Sequence, residues 1–147
     1  MIMNGPTPPR VLFVCTGNTC RSVFAEYIGR QIFGSSVVFE SAGIRPQPAA
    51  DAENAVYTLE KYFIINASGH VPRDVRSLDL TTYTMIIALE KSAAQLVKEL
   101  GAPASKVRMW KISDPWGDDL SEYHRASLEI KTEILKLKAS GLGSAEA

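Results

Sequence analysis

Val11-Leu12-Phe13-Val14 is an uninterrupted apolar run ended by Thr16-Gly17-Asn18, the pattern of a strand buried on both faces. From Ser22 onward the pattern changes period. Phe24, Tyr27, Ile28 and Ile32 fall on one helical stripe, with Gly34 standing where a left-handed C-terminal residue is expected. Val37-Val38-Phe39 predicts a second strand. Ala52, Ala55, Val56, Leu59 and Phe63 then repeat at helical spacing behind Asp51, a candidate N-cap. Met85 to Leu89 reads as another buried strand, and Ala93, Leu96, Val97 and Leu100 as a helix stopped by Gly101. Val107 to Trp110 is a weaker strand. A long helix from Leu120 to Ala139 follows, with Tyr123, Ser127, Ile130, Ile134 and Leu137 spaced alternately by four and three.

Strands alternating with helices predict an α/β fold: βαβ units, a parallel sheet with helices on both faces, and right-handed crossovers. Ligands in such sheets sit at the carboxyl ends of the strands, so the loop after the first strand is the first place to look for chemistry. No internal repeat or linker interrupts the chain. The 147 residues are expected to form a single domain, 1–147, with flexible termini at 1–9 and 141–147.

Composition narrows the function. Lys and Arg number 16 against 16 Asp and Glu, so no net basic field would gather nucleic acid or an anionic membrane. The first ten residues have no signal-peptide core and no run is long enough to cross a bilayer, so a soluble protein is expected. The only two cysteines, Cys15 and Cys20, are too close together to staple a secreted fold, which suggests a reducing, cytoplasmic setting.

Cys15-Thr16-Gly17-Asn18-Thr19-Cys20-Arg21-Ser22 places a thiol at a strand end, an arginine six positions on, and a helix immediately after. Small residues between them let successive backbone N–H groups turn inward as an anion-binding nest, reinforced by the helix N-terminus. Arg21 can fork two oxygens of a tetrahedral oxyanion. Cys15, held against the same donors, is expected to have a lowered pKa and to act as a thiolate beneath a bound phosphate. An isolated Cys15 would read as a small buried hydrophobe, but the combined spacing is much narrower than that. The GxxxxGK[ST] pattern of a nucleotide loop is missing, and two cysteines with two distant histidines match no zinc spacing. No cofactor and no metal are expected.

Read together, VLFVCTGNTCRS at Val11 to Ser22, continued by Ala25-Glu26, resembles the signature of the low-molecular-weight protein tyrosine phosphatases. Ser41-Ala42-Gly43 and His70-Val71-Pro72-Arg73 extend the resemblance, which runs from about Arg10 to Leu137. It implies a three-layer, four-stranded parallel sheet of flavodoxin-like order 2-1-3-4. It further implies Cys15 as nucleophile and Arg21 as phosphate clamp, with Thr16, Gly17, Asn18, Thr19, Cys20 and Ser22 forming the binding loop and Ser41 and His70 supporting Asn18. A reversible disulfide between Cys15 and Cys20 is implied as protection against over-oxidation. Val23 stands where the family commonly has Pro, Thr84 where an Asp is usual, and Leu89-Glu90 in place of a Met-Asp pair. None of these departures is expected to threaten the chemistry.

Attack on a phosphate ester leaves an oxygen that needs a proton. By itself Asp114-Pro115 reads as a turn. The resemblance makes Asp114 the general acid and Trp116 a flat wall for the substrate. His124 carries no assignable role and is expected to be solvated. The implied partners are a phosphorylated protein as substrate and inorganic phosphate as product, the protein acting as a monomer. Phosphotyrosine is the first expectation. Thr19 and Gly117 are shared with bacterial relatives that act on phosphoarginine, which stands as the alternative. An arsenate reductase ranks lower, because the thioredoxin-linked ones need cysteines beyond residue 20.

Overall fold

The computed structural model describes residues 7–144. Four strands, β1 (Arg10–Cys15), β2 (Val38–Gly43), β3 (Met85–Ala88) and β4 (Val107–Met109), form one wholly parallel sheet in the order β2-β1-β3-β4. The helices are α1 (Arg21–Phe33), α2 (Glu53–Phe63), α3 (Lys91–Glu99) and α4 (Leu120–Ala139). This is the expected α/β architecture and strand order.

Side-chain alternation along β1 builds two cores. Val11, Phe13 and Cys15 join the core formed with α1, α2 and α4, while Leu12 and Val14 join the one beneath α3. Three layers result. Because α1 and α3 lie on opposite faces, the chain changes direction between β1 and β3, which opens a crevice at their carboxyl ends. Cys15, the last residue of β1, lies at its edge.

Several boundaries differ from the sequence reading. β2 runs on through Glu40 and Ser41 to Gly43, because parallel pairing with the whole of β1 outweighs the polarity of those side chains. Asp51 caps no helix. It lies in a 3₁₀ turn, Ala49–Ala52, begun after Pro48, and α2 starts behind Ala52 without a side-chain cap. Gly34 has a positive φ of 60° but a ψ of −134°, so it is not the left-handed cap expected. α4 has the predicted bounds, and all five of its periodic residues are buried, with Asp119 capping its first turn.

At the ends of the described chain, the Pro9 carbonyl accepts from Val38 N at 2.9 Å and Leu142 packs against the larger core. The expected flexibility of residues 1–6 and 145–147 lies outside the described residues.

Candidate active site

The loop between β1 and α1 lies in a cleft of about 270 Å³ lined by Cys15, Thr16, Gly17, Thr19, Cys20, Arg21, Gln47, Asp114 and Trp116. Its curvature depends on a second segment. Ile44, Arg45 and Gln47 donate their backbone N–H groups to the carbonyls of Cys15, Thr16 and Gly17, at 3.0, 2.8 and 3.1 Å. With its carbonyls committed outward, the loop can turn N–H groups inward. Gly43 makes this approach possible, since a Cβ there would lie 2.7 Å from the Thr16 carbonyl oxygen.

Asn18 anchors the loop. Its φ of 57° is left-handed, a conformation that asparagine tolerates better than most residues, and it is wholly buried. Every polar group of its side chain is used. Nδ2 donates to Ser22 Oγ at 2.8 Å and Ser41 Oγ at 2.9 Å, and Oδ1 accepts from Arg73 N at 3.0 Å. His70 Nε2 lies 2.8 Å from the Asn18 carbonyl, which can only accept, so the proton is on Nε2. Ser41 passes its own proton on to Glu26, which also pairs with Arg30.

The direction of these bonds determines what Cys15 receives. Ser22 Oγ accepts from Asn18, and its own hydrogen is free to go to Cys15 Sγ, 2.9 Å away. Cys20, by contrast, donates its S–H to Tyr123 Oη at 3.6 Å, and burial pushes its thiol pKa up to about 11. Both cysteines are free.

Arg21 is 5% exposed. Nη1 donates to the carbonyls of Leu89 and Ile112 at 3.0 and 3.1 Å, tying the guanidinium to the segments that follow β3 and β4. Nη2 reaches Glu90 at 2.5 Å and Asp114 at 3.4 Å. Nε is buried and makes no hydrogen bond. A buried cationic donor without an acceptor is costly, and an oxyanion in the loop would supply one.

Glu90 is the site residue that sequence reasoning missed, having read it only as a harmless departure. Thr16 Oγ1 lies 2.6 and 2.7 Å from its two oxygens, and Ser92 Oγ donates to it at 2.8 Å. Burial opposes its ionisation, but the bonds from Thr16 and Ser92 and the charge of Arg21 outweigh it and hold the carboxyl below its ordinary range. The signal in the sequence was an acid directly after the strand paired with β1.

Across the cleft, Asp114 Oδ1 accepts from Trp116 N at 3.0 Å, and Trp116 is 53% exposed. Gly117 has φ 84° and sits in the turn closed by Asp118 N to the Pro115 carbonyl, 2.9 Å. The turn therefore accounts for this glycine without reference to a substrate. The structure brings Cys15, Thr16, Gly17, Thr19, Cys20, Arg21, Asp114 and Trp116 to one cleft, with Asn18, Ser22, Ser41 and His70 bonded to one another behind the loop and Gly117 outside the lining. His124 is not simply solvated: its ring stacks on Tyr62 with centroids 3.6 Å apart. Among the described residues no cluster of potential ligands could hold a metal ion, and no helix is long and apolar enough to cross a membrane.

Comparison with known proteins bears on the same residues. The family profile described as low molecular weight phosphotyrosine protein phosphatase matches residues 10–143. An arsenate reductase of Staphylococcus aureus (strain N315) is 32% identical over 128 residues, 87% of this chain and 95% of that protein. Among solved structures, the low molecular weight protein tyrosine phosphatase from T. tengcongensis superposes with a TM-score of 0.80 at 32% identity, covering 90% of this chain and 99% of that one. The YwlE arginine phosphatase from Geobacillus stearothermophilus gives a TM-score of 0.80 at 27% identity, covering 93% and 97%. With the profile spanning the β1 loop, the Asn18 anchors and the Asp114 turn alike, the chain belongs to the low molecular weight phosphotyrosine protein phosphatase family.

Proposed function

We propose that the protein is a phosphoprotein phosphatase that hydrolyses phosphotyrosine through a phosphocysteine on Cys15. The observation carrying this reading is the buried, unpartnered Arg21 Nε in a cleft also lined by Cys15, whose Sγ lies 2.9 Å from Ser22 Oγ. In the first step the Cys15 thiolate attacks phosphorus, the P–O bond breaks, and the phenolic oxygen takes the proton of Asp114. In the second, Asp114 takes a proton from water, the water oxygen attacks phosphorus, and the S–P bond breaks to release inorganic phosphate. Arg21 and the loop N–H groups stabilise the equatorial oxygens in both steps. Trp116 supplies a face against which a phenyl ring stacks. No cofactor is required. The free thiols suit a reducing compartment, and we place the protein in the cytoplasm as a monomer.

Phosphoarginine is the second reading, and the cleft lining favours it. Trp116 is the one aromatic among the described lining residues, while Thr16, Thr19 and Gln47 present polar groups. The similarity to an arginine phosphatase points the same way. The deciding experiment measures kcat/KM on phosphotyrosine and phosphoarginine peptides of matched sequence, with arsenate plus thioredoxin as a third arm. Faster turnover of phosphotyrosine is expected, and preference for phosphoarginine would replace the first reading with the second. Cys15→Ser should abolish turnover while retaining phosphate binding; undiminished turnover would overturn the mechanism. Thr19→Ile should raise the phosphotyrosine-to-phosphoarginine rate ratio if that hydroxyl sets preference.

A further inference from the structure

The chain is neutral overall, yet its charges are not evenly spread. Between Lys91 and Lys111 the sequence carries Lys91, Lys98, Lys106, Arg108 and Lys111 against the single acid Glu99. Among the described residues none of these five cations takes part in an ion pair. Elsewhere Arg10, Arg21, Arg30, Arg73, Arg76, Arg125 and Lys136 are paired, and the other cations without an ion pair, Arg45, Lys61, Lys131 and Lys138, are scattered along the sequence. An uncompensated positive field therefore lies along one side of the molecule.

That side is the open edge of the sheet. β4 pairs only with β3, and between its outer edge and α3 runs a groove of about 610 Å³ lined by Lys91, Lys98, Arg108, Ala94, Val107 and Met109, with Gln95 and Glu99 beside them. Trp110 N donates inward to the Ala88 carbonyl at 3.0 Å, so by alternation along the strand Val107 and Met109 direct their N–H and C=O groups outward. Met109 is 51% exposed. The groove thus offers unpaired backbone, an apolar floor and flanking cations. The basic segments adjoin active-site residues in the chain. Lys91 directly follows Glu90, which holds Arg21, and Lys111 directly precedes Ile112, whose carbonyl accepts from Arg21.

We propose that this groove is a docking surface for an acidic, extended segment of the phosphoprotein substrate, distant in sequence from the phosphorylated residue. Charge complementarity selects the occupant: carboxylates along the segment face Lys98 and Arg108, its backbone adds to the β4 edge, and alternate side chains rest on Val107 and Met109. The proposal rests on the reading of the protein as a phosphoprotein phosphatase, and its test separates the two.

The experiment compares the wild type with the double variant Lys98→Glu, Arg108→Glu. Both residues are exposed and lie outside the catalytic machinery. The substrates are an aryl phosphate, a phosphopeptide with a neutral extension, and the same phosphopeptide with a Glu/Asp-rich extension. Turnover of the aryl phosphate should be the same in both proteins, and its absence in both would instead refute the phosphatase reading. At low ionic strength the acidic extension should lower the wild-type KM by about tenfold, an advantage that is lost in the variant and eroded by salt. Equal KM for acidic and neutral extensions in the wild type would overturn the proposal. A labelled, unphosphorylated Glu/Asp-rich dodecapeptide should bind the wild type and compete with the acidic substrate only. Tighter binding of a dodecathymidylate or of anionic phospholipid vesicles would overturn the assignment to a polypeptide. If the charges only blunt a sheet edge, the variant will aggregate without any change in KM, which refutes docking.

Discussion

Replacing Glu90 by Gln removes one negative charge while leaving the side-chain shape nearly unchanged. The native carboxylate lies 2.5 Å from Arg21 Nη2, with Thr16 Oγ1 at 2.6 and 2.7 Å and Ser92 Oγ at 2.8 Å. An amide keeps one acceptor oxygen but cannot form an ion pair with the guanidinium. Arg21 is then left with Asp114, at 3.4 Å, as its anionic partner. A hydrogen bond between charged groups contributes about 1.5–3 kcal/mol, and with Glu90 24% exposed the low end applies. About 1.5 kcal/mol less anchoring of Arg21 lowers kcat/KM for an aryl phosphate by roughly tenfold. Competitive inhibition by inorganic phosphate weakens by a similar factor, because the clamp acts on ground-state and transition-state oxyanions alike. Urea unfolding supplies a second readout. The Glu90 carboxyl is held below its ordinary 4.5 in the folded chain, so its stabilisation is fully present above that value and is lost as pH falls through the folded one. The stability gap between wild type and variant should therefore be widest near neutrality and close on acidification. Glu90→Asp keeps the charge but is one methylene shorter, and should recover phosphate affinity only in part. A kcat/KM within twofold of wild type for Glu90→Gln, or a stability gap that widens in acid, would refute the argument.

Other consequences follow from the same geometry. Gly43→Ala sets a Cβ 2.7 Å from the Thr16 carbonyl oxygen and should cost about 1–3 kcal/mol in urea unfolding, with phosphate affinity falling alongside; an unchanged midpoint would show that the strap can shift freely. Asp114→Ala should slow a poor leaving group such as phenol by about 10²-fold or more and a nitrophenol far less. Equal slowing would count against the acid role. Ser22→Ala removes the donor to Cys15 Sγ, so alkylation of Cys15 by iodoacetamide at neutral pH should slow by about tenfold, read by mass spectrometry of the modified peptide. Unchanged reactivity would refute a role for this hydroxyl in activating Cys15.

Local period and short spacing along the chain were enough to read several elements and part of the site. The uninterrupted run at Val11 to Val14 reads as a central strand, and the four-three spacing of Tyr123 to Leu137 marks out the buried face of α4. Cys15, Arg21 and Ser22 were legible because a strand end, a six-residue separation and a helix start constrain them to one loop. Where several local rules competed, the reading failed. Asp51 reads as a cap but lies in the turn after Pro48, and the apolar run Val37-Val38-Phe39 stops short of Glu40 to Gly43, which pairing with β1 adds to the strand.

Which distant residues meet depends on how the elements pack. Glu90 reaches Arg21 across 69 positions and His70 reaches the Asn18 carbonyl across 52, because the strand order sets the carboxyl end of β3 beside that of β1 and folds the His70 segment beneath the loop. The same holds for charge. A count of 16 against 16 hid five cations without ion pairs along one edge, since potential depends on where charges stand in space and not on their sum. Spacing along a chain encodes local conformation, whereas the partners of Glu90 and His70 and the gathering of cations beside α3 and β4 are set by which surfaces burial forces together.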